Sequence, residues 1–273
     1  MTCQKSDYLI VAMNPAKAEG AKGVTSQRFP MGNTCSTGGY QGVGKELKEI
    51  SYQSKTYAKL ETLMNRVSKE SLKIEHQKQV RKKAVGVDGV NKMAYEENLD
   101  ENLSDLIERM KRFSYKPQPV RRTYIPKADG KLRPLGIPAY EDRLVQSVMA
   151  EVLNEIYEER FMDCSYGFRP GRNAHMVVRE INQTIMTKKV NYVLEADIKG
   201  FFDNVNHDWL MKFLENDIAD KNFLRYVKRF LIAGVIEGTQ WEESDKGILQ
   251  AGQISPILAN VYLHYVLDLW YEK

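Results

Sequence analysis

The chain has 273 residues and a net charge of +4, from 40 Lys and Arg against 36 Asp and Glu. Apolar residues make up 42% and charged residues 28%, which excludes wholesale disorder, a peptide or a small disulfide scaffold. The longest apolar stretch, Phe230 to Ile236, falls far short of the ~20 residues of a bilayer span, and the first 30 residues hold no apolar signal core, so a cytoplasmic protein without membrane contact is expected.

Residues 1–50 hold 7 of the 18 glycines, with no helical or strand period, and read as a flexible leader. From residue 51 to 273 no linker interrupts the sequence, which predicts one continuous α+β body. Tyr57, Leu60, Leu63, Met64 and Val67 recur at helical spacing, as do Leu99, Leu103, Leu106, Ile107 and Met110. Between these two expected helices, the basic run Arg81-Lys-Lys83 precedes a turn at Gly86-Val-Asp-Gly89.

Five prolines between Pro117 and Pro138 confine Arg121 to Ile137 to an exposed hairpin turning at Ala128-Asp-Gly130. The strongest helical stripe follows, formed by Leu144, Val145, Val148, Met149, Val152, Leu153 and Ile156. A basic loop, Tyr166-Gly-Phe-Arg-Pro-Gly-Arg172, separates it from a helix holding Met176, Val177, Ile181 and Ile185. Tyr192 to Asp197 reads as a short strand ending in an acid, followed by a turn and by helices near 207–216 and 221–232. Ser255 to Trp270 places Ile257, Leu258, Val261, Tyr262, Val266 and Leu269 on one helical face.

A carboxylate at a strand end, such as Asp197, can hold a divalent metal or cap a turn, and Asp203 fits the capping role better. Lys127 and Arg133 flank the hairpin turn, where they can close over a triphosphate or simply form a solvated rim. Phe168 to Arg172 interleaves cations with an aromatic, as nucleic-acid contacts do and as tied surface loops also do. Residues 51–133 carry 19 Lys and Arg against 11 Asp and Glu, which suits either a solvated face or a surface following a phosphate backbone. The four histidines lack metal-ligand spacing, and the three cysteines form neither a disulfide framework nor a zinc cluster.

Taken in order, these blocks resemble the group II intron reverse transcriptases, or maturases. The resemblance runs over about residues 55–273, through Gly86-Val-Asp-Gly89, Ile125-Pro-Lys127, Leu132 to Pro138, Asp142 to Gln146, Tyr166 to Arg172, Asp197 to Asp203 and Gln250 to Asn260. It implies a helix-rich right-hand polymerase with a short antiparallel palm sheet, residues 51–190 being mainly fingers and 191–273 mainly a partial palm.

The resemblance also implies roles. Asp197 matches the first catalytic aspartate, with the carbonyl of Ile198 beside it as a metal ligand for one of two Mg2+ ions. Lys127, Arg133, Phe201, Phe202 and Gln250 match the dNTP-binding positions, Phe202 being the ring that excludes a 2′-hydroxyl. Arg112, Lys116, Arg121, Arg122, Arg169 and Arg172 are the expected contacts to RNA, both template-primer and intron. A homodimer is left open. Ala251 stands where the family has a glycine, and the family's second metal-binding motif, with two aspartates, lies beyond the block matching Ser255 to Asp268. The 273-residue chain is therefore expected to bind RNA but not to polymerise alone. The alternatives are a non-catalytic RNA-binding protein and a non-intron reverse transcriptase.

Overall fold

The structure, a computed structural model, describes residues 41–56, 59–126, 130, 132–248 and 252–272. Lys127, Gln250 and Ala251 lie outside the described residues, as do residues 1–40.

The core is built around α5 (Tyr140–Tyr157), whose seven stripe residues from Leu144 to Ile156 are all buried. Against it lies α1 (Gln41–Thr56), where Ile50 is buried and Ser54 Oγ donates to the Ile156 carbonyl at 2.8 Å. Helix α1 spans the boundary expected near residue 50. Over the described residues 59–67 the expected helix does not form. Thr62 is left-handed (φ 58°), Leu63–Arg66 is a single 3-10 turn, and Leu60 bridges Ile218 instead. Its N–H donates to the Asp217 carbonyl at 2.9 Å and its carbonyl accepts from Ala219 at 2.8 Å. The apolar spacing there serves distant contacts.

Helix α2 (Lys69–Lys78) starts at a reciprocal Ser68–Ser71 cap and packs on α5. After the short α3 (Lys92–Glu96), α4 (Leu99–Lys111) buries Leu103, Leu106 and Met110, as its spacing predicts. The hairpin forms as expected: β1 (Val120–Pro126) pairs antiparallel with β2 (Leu132–Ile137), Ile125 facing Arg133 across it.

Farther along come α6 (Ala174–Thr187), α7 (Phe201–Asn204), α8 (His207–Asp217) and α9 (Lys221–Leu231). A second hairpin, β3 (Val235–Glu237) with β4 (Gln240–Glu242), adds to β1. Because β1 and β3 run parallel, the four-stranded sheet, in the order β2-β1-β3-β4, is mixed rather than wholly antiparallel.

Two further expectations change. Residues 188–198, read as containing a strand, pair with no strand among the described residues, and Tyr192 is 94% exposed. An extended segment becomes a strand only when another backbone takes its N–H and C=O groups. The last helix is broken: α10 (Ser255–Leu263) passes into a π-helical turn (His264–Asp268) before α11 (Leu269–Tyr271). A π turn adds a residue per turn and rotates the face. His264 thereby turns inward, Tyr265 reaches Asp217 with its hydroxyl at 2.6 Å, and Val266 points out.

Candidate active site

A cleft of about 390 Å³ opens where three chain segments meet. One wall is the β1–β2 hairpin, contributing Arg122, Pro134, Leu135 and Gly136. Opposite stand Phe202 and Asp203 of α7, and the stretch from Glu242 to Ile248 closes the rim. The α7 turn is clamped to that stretch: Ile248 N–H donates to the Phe202 carbonyl at 2.7 Å, and Gly247 N–H to the Val205 carbonyl at 2.8 Å. His207 Nε2 lies 2.6 Å from the Gly247 carbonyl.

Gly247 makes this approach feasible. Its φ is +88°, and a Cβ there would stand 2.9 Å from the Phe202 carbonyl oxygen and 3.0 Å from that of Asp203. Gly247→Ala is therefore expected to lose about 1–3 kcal/mol of stability and to loosen the α7 contact. Urea unfolding checks the first effect, and hydrogen exchange at the Ile248 amide checks the second. An unchanged midpoint would show that the loop yields freely.

The two adjacent phenylalanines part company. Phe202 lines the cleft, whereas Phe201 packs edge-on to Tyr262 of α10 with centroids 6.1 Å apart. Phe201 thus supports Phe202, their rings being 5.7 Å apart, rather than facing the cleft itself.

The hairpin cations differ in freedom. Arg133 is exposed on β2. Arg122 is half-buried and sits 3.8 Å from the Glu237 carboxylate, which also accepts from the Tyr124 hydroxyl at 2.6 Å. That hydrogen bond pushes the Tyr124 phenol up. Glu237, from β3, was not visible as a site residue because its partners lie more than a hundred positions away. Glu242, Glu243, Asp245 and Lys246 at the rim were missed too, since they carry no motif of their own and meet the hairpin and α7 only in the folded chain. Arg121 turns inward, its Nε and Nη2 donating to the Val85 carbonyl at 3.1 and 2.7 Å.

Asp197 and Ile198 lie in the exposed 188–198 segment, just before a turn at Lys199-Gly200. Among the described residues no three His, Cys, Asp or Glu side chains gather as a metal site.

The basic loop is tied to its own surroundings. Arg169 is 5% exposed and its guanidinium is consumed internally, by Glu158 Oε1 and Oε2 at 2.9 and 3.0 Å and by the Met162 and Ser165 carbonyls at 2.6 and 2.8 Å. Arg172 pairs with Asp163. Arg169 is thus buried inside the loop's own fold, whereas Arg172 is a half-buried surface pair, and Asn260 of α10 holds the loop by donating to the Gly167 carbonyl at 2.7 Å. Arg112 is exposed beside Glu108, and Lys116 is exposed. Gln146 is buried and its side-chain oxygen accepts from the Gln253 amide at 3.0 Å, fixing the chain just after the residue-250 region.

A sequence profile of the reverse transcriptase (RNA-dependent DNA polymerase) family matches residues 125–273, more than half of the chain. The chain belongs to the reverse transcriptase family. Its relatives sharpen this. Protein YkfC of Escherichia coli (strain K12) is 39% identical over 191 residues, covering 69% of this chain and 50% of that protein. The group II intron-encoded protein LtrA of Lactococcus lactis subsp. cremoris is 39% identical over 175 residues, 62% of this chain and 29% of LtrA. Nuclear intron maturase 2, mitochondrial, of Arabidopsis thaliana is 32% identical over 97 residues, 36% of this chain and 13% of that protein. This reverse transcriptase chain thus spans half or less of the length of these relatives. Among solved structures, a chain of a partial Cas6-RT-Cas1--Cas2 complex shares the fold, with a TM-score of 0.51 and 19% identity over 77% of this chain and 35% of that one.

Proposed function

We propose that this chain forms the fingers and part of the palm of an RNA-directed DNA polymerase of the group II intron type, which adds dNTPs to a primer on an RNA template and assists splicing and mobility of its intron. The supporting observation is the cleft itself, where a cationic hairpin, an aromatic turn and the approach to residue 250 meet. In this reading Arg133 and Lys127 grip the triphosphate, Arg133 by two parallel hydrogen bonds and Lys127 as a point charge. The ring of Phe202 lies under the incoming sugar, and Gln250 reaches the nucleotide. Arg112, Lys116 and Arg122 offer charge to the RNA backbone, and the protein works in the cytoplasm. Among the described residues no helix is long and apolar enough to cross a membrane.

Magnesium takes hard oxygen ligands, and the Asp197 carboxylate and Ile198 carbonyl are of that kind. One carboxylate and one carbonyl do not make a two-ion site, in which both ions need anionic ligands. The described residues therefore do not fit two Mg2+ ions without further carboxylates, and we route no step through them.

The test is a chimera of residues 1–273 with the remaining length of LtrA. It is expected to extend a DNA primer on RNA with dNTPs, and a folded chimera that extends nothing overturns the reading. Phe202→Val in it should raise ribonucleotide incorporation at least about tenfold, since each ~1.4 kcal/mol of lost steric exclusion is a factor of ten. Unchanged dNTP-over-rNTP selectivity would make Phe202 a packing residue only.

A further inference from the structure

Helix α9 carries Lys221, Arg225, Lys228 and Arg229 and no acidic residue. Its other face is fully committed, with Phe223, Leu224, Tyr226, Val227, Phe230 and Leu231 buried. The cations gain nothing from one another. Lys221 and Arg225 are four apart, as are Arg225 and Arg229, and Arg225 and Lys228 are three apart; like charges at these spacings each cost a few tenths of a kcal/mol. Lys221 also sits in the first turn, at the positive end of the helix dipole.

Elsewhere the chain neutralises such charge. Lys69 and Lys73 meet Asp100, Arg109 meets Asp105 and Glu141, and Arg160 meets Asp217. Among the described residues no carboxylate forms a salt bridge with any of the four cations of α9. Two of them are held in place by other means. Arg229 donates to the Tyr115 and Phe113 carbonyls at 2.5 and 3.0 Å, pinning the segment after α4 to this helix. Arg225 stacks 4.2 Å over Phe113, a half-exposed ring on a left-handed residue with φ 57°. A guanidinium stacked on a ring keeps its edge donors free and oriented, which suits phosphate oxygens. The exposed Lys111 and Lys116 lie on the same pinned segment and extend the patch.

We propose that the outer face of α9, with the 111–116 segment beside it, is a binding surface for the backbone of a folded RNA, separate from the polymerase cleft. None of the residues lining that cleft belongs to α9. From Lys221 to Arg229 the helix rises about 12 Å, enough to meet three or four successive phosphates of one strand. The uncompensated charge supplies affinity without base recognition, so binding follows shape and salt rather than sequence. The choice of RNA over another polyanion rests on the polymerase reading above.

The experiment compares the full 273-residue chain with the triple variant Lys221→Gln/Arg225→Gln/Lys228→Gln, using an RNA stem-loop, a DNA duplex of matching sequence and phosphatidylserine vesicles as probes. Arg229 is kept because it anchors the Phe113 and Tyr115 carbonyls. The variant is expected to lose about tenfold or more in stem-loop affinity at moderate salt, and the slope of log affinity against log salt should shrink by about two to three. The double variant Lys221→Gln/Lys228→Gln, which spares the Phe113 stack, should give about two-thirds of that slope change and keeps the test open if the triple variant unfolds. Unchanged affinity and slope overturn the proposal, as does selective loss of vesicle binding with stem-loop binding intact. In the LtrA chimera, extension on a short template should stay within about twofold in the triple variant. A proportionate loss of extension would place α9 in the template path and overturn the separate surface, whereas failure of the unsubstituted chimera overturns only the polymerase reading.

Discussion

The 273-residue chain, given RNA template, DNA primer, dNTPs and Mg2+, is expected to extend no primer, and the LtrA chimera carrying Asp197→Ala is expected to be inactive while folded. Nucleotidyl transfer with two ions about 3.5–4 Å apart requires carboxylates from more than one segment around both of them. Asp197 stands instead in an exposed stretch that pairs with no strand among the described residues, and no three His, Cys, Asp or Glu side chains gather as a metal site among them. An absent ligand set costs several kcal/mol of transition-state stabilisation, and each ~1.4 kcal/mol is tenfold in rate, so the deficit spans orders of magnitude. Gel-resolved extension checks it. Products made by the purified chain and lost in Asp197→Ala would show that another carboxylate within it completes the centre.

The second large effect lies at Asp142, which is 2% exposed in the first turn of α5. One of its carboxylate oxygens accepts from the Tyr115 hydroxyl and the other from the Gln118 amide at 2.8 Å, joining α5 to the chain that leads into β1. Asp142→Ala leaves two donors without their acceptor at the root of the hairpin, at a cost of about 2–4 kcal/mol. Burial pushes its carboxyl up from 3.8 to about 6, against the two hydrogen bonds that favour the anion, with Glu141 and Asp88 adding to the rise.

The sign follows from linkage. The folded state holds this proton more tightly than the unfolded chain, so the associated stability is fully present below about pH 3.8 and is lost as pH rises through about 6. Asp142→Asn removes that titration. The stability of the natural chain relative to the Asn variant should therefore fall between pH 4 and 6, by an amount on the order of 3 kcal/mol, and level off above. Denaturant melts of both proteins across this range measure it; a flat difference, or an Asp142→Ala loss below about 1 kcal/mol, would sink the account.

Much of the helical body was legible in the residues. The stripes of α4, α5, α8 and α9 appear in the sequence because a helix closes its hydrogen bonds within four residues, so an apolar period of 3.6 is enough to specify it. The β1–β2 hairpin was legible from its prolines and Gly130, since turn chemistry is equally local. The order of the motifs carried the family, because each block combines turn and charge chemistry that chance spacing does not repeat.

Tertiary structure decided what depends on distant partners. Leu60 leaves a helical pattern because the Asp217 and Ala219 backbones offer it hydrogen bonds. Residues 192–197 have the composition of a strand, yet a strand is a property of two backbones, and no strand among those described pairs with them. Arg169 reads as a nucleic-acid contact in one dimension and is buried on Glu158 in three, since ion pairing depends on distance rather than residue type. Which of Phe201 and Phe202 faces the cleft turned on Tyr262, some sixty residues away. The sequence by itself determined most of the helices and the first hairpin, which arise from contacts within a few residues, and the family, which the order of its motifs carries. Only the fold decided which charges stay free and which aromatic meets the cleft, because burial and pairing are set by neighbours that the chain brings together last.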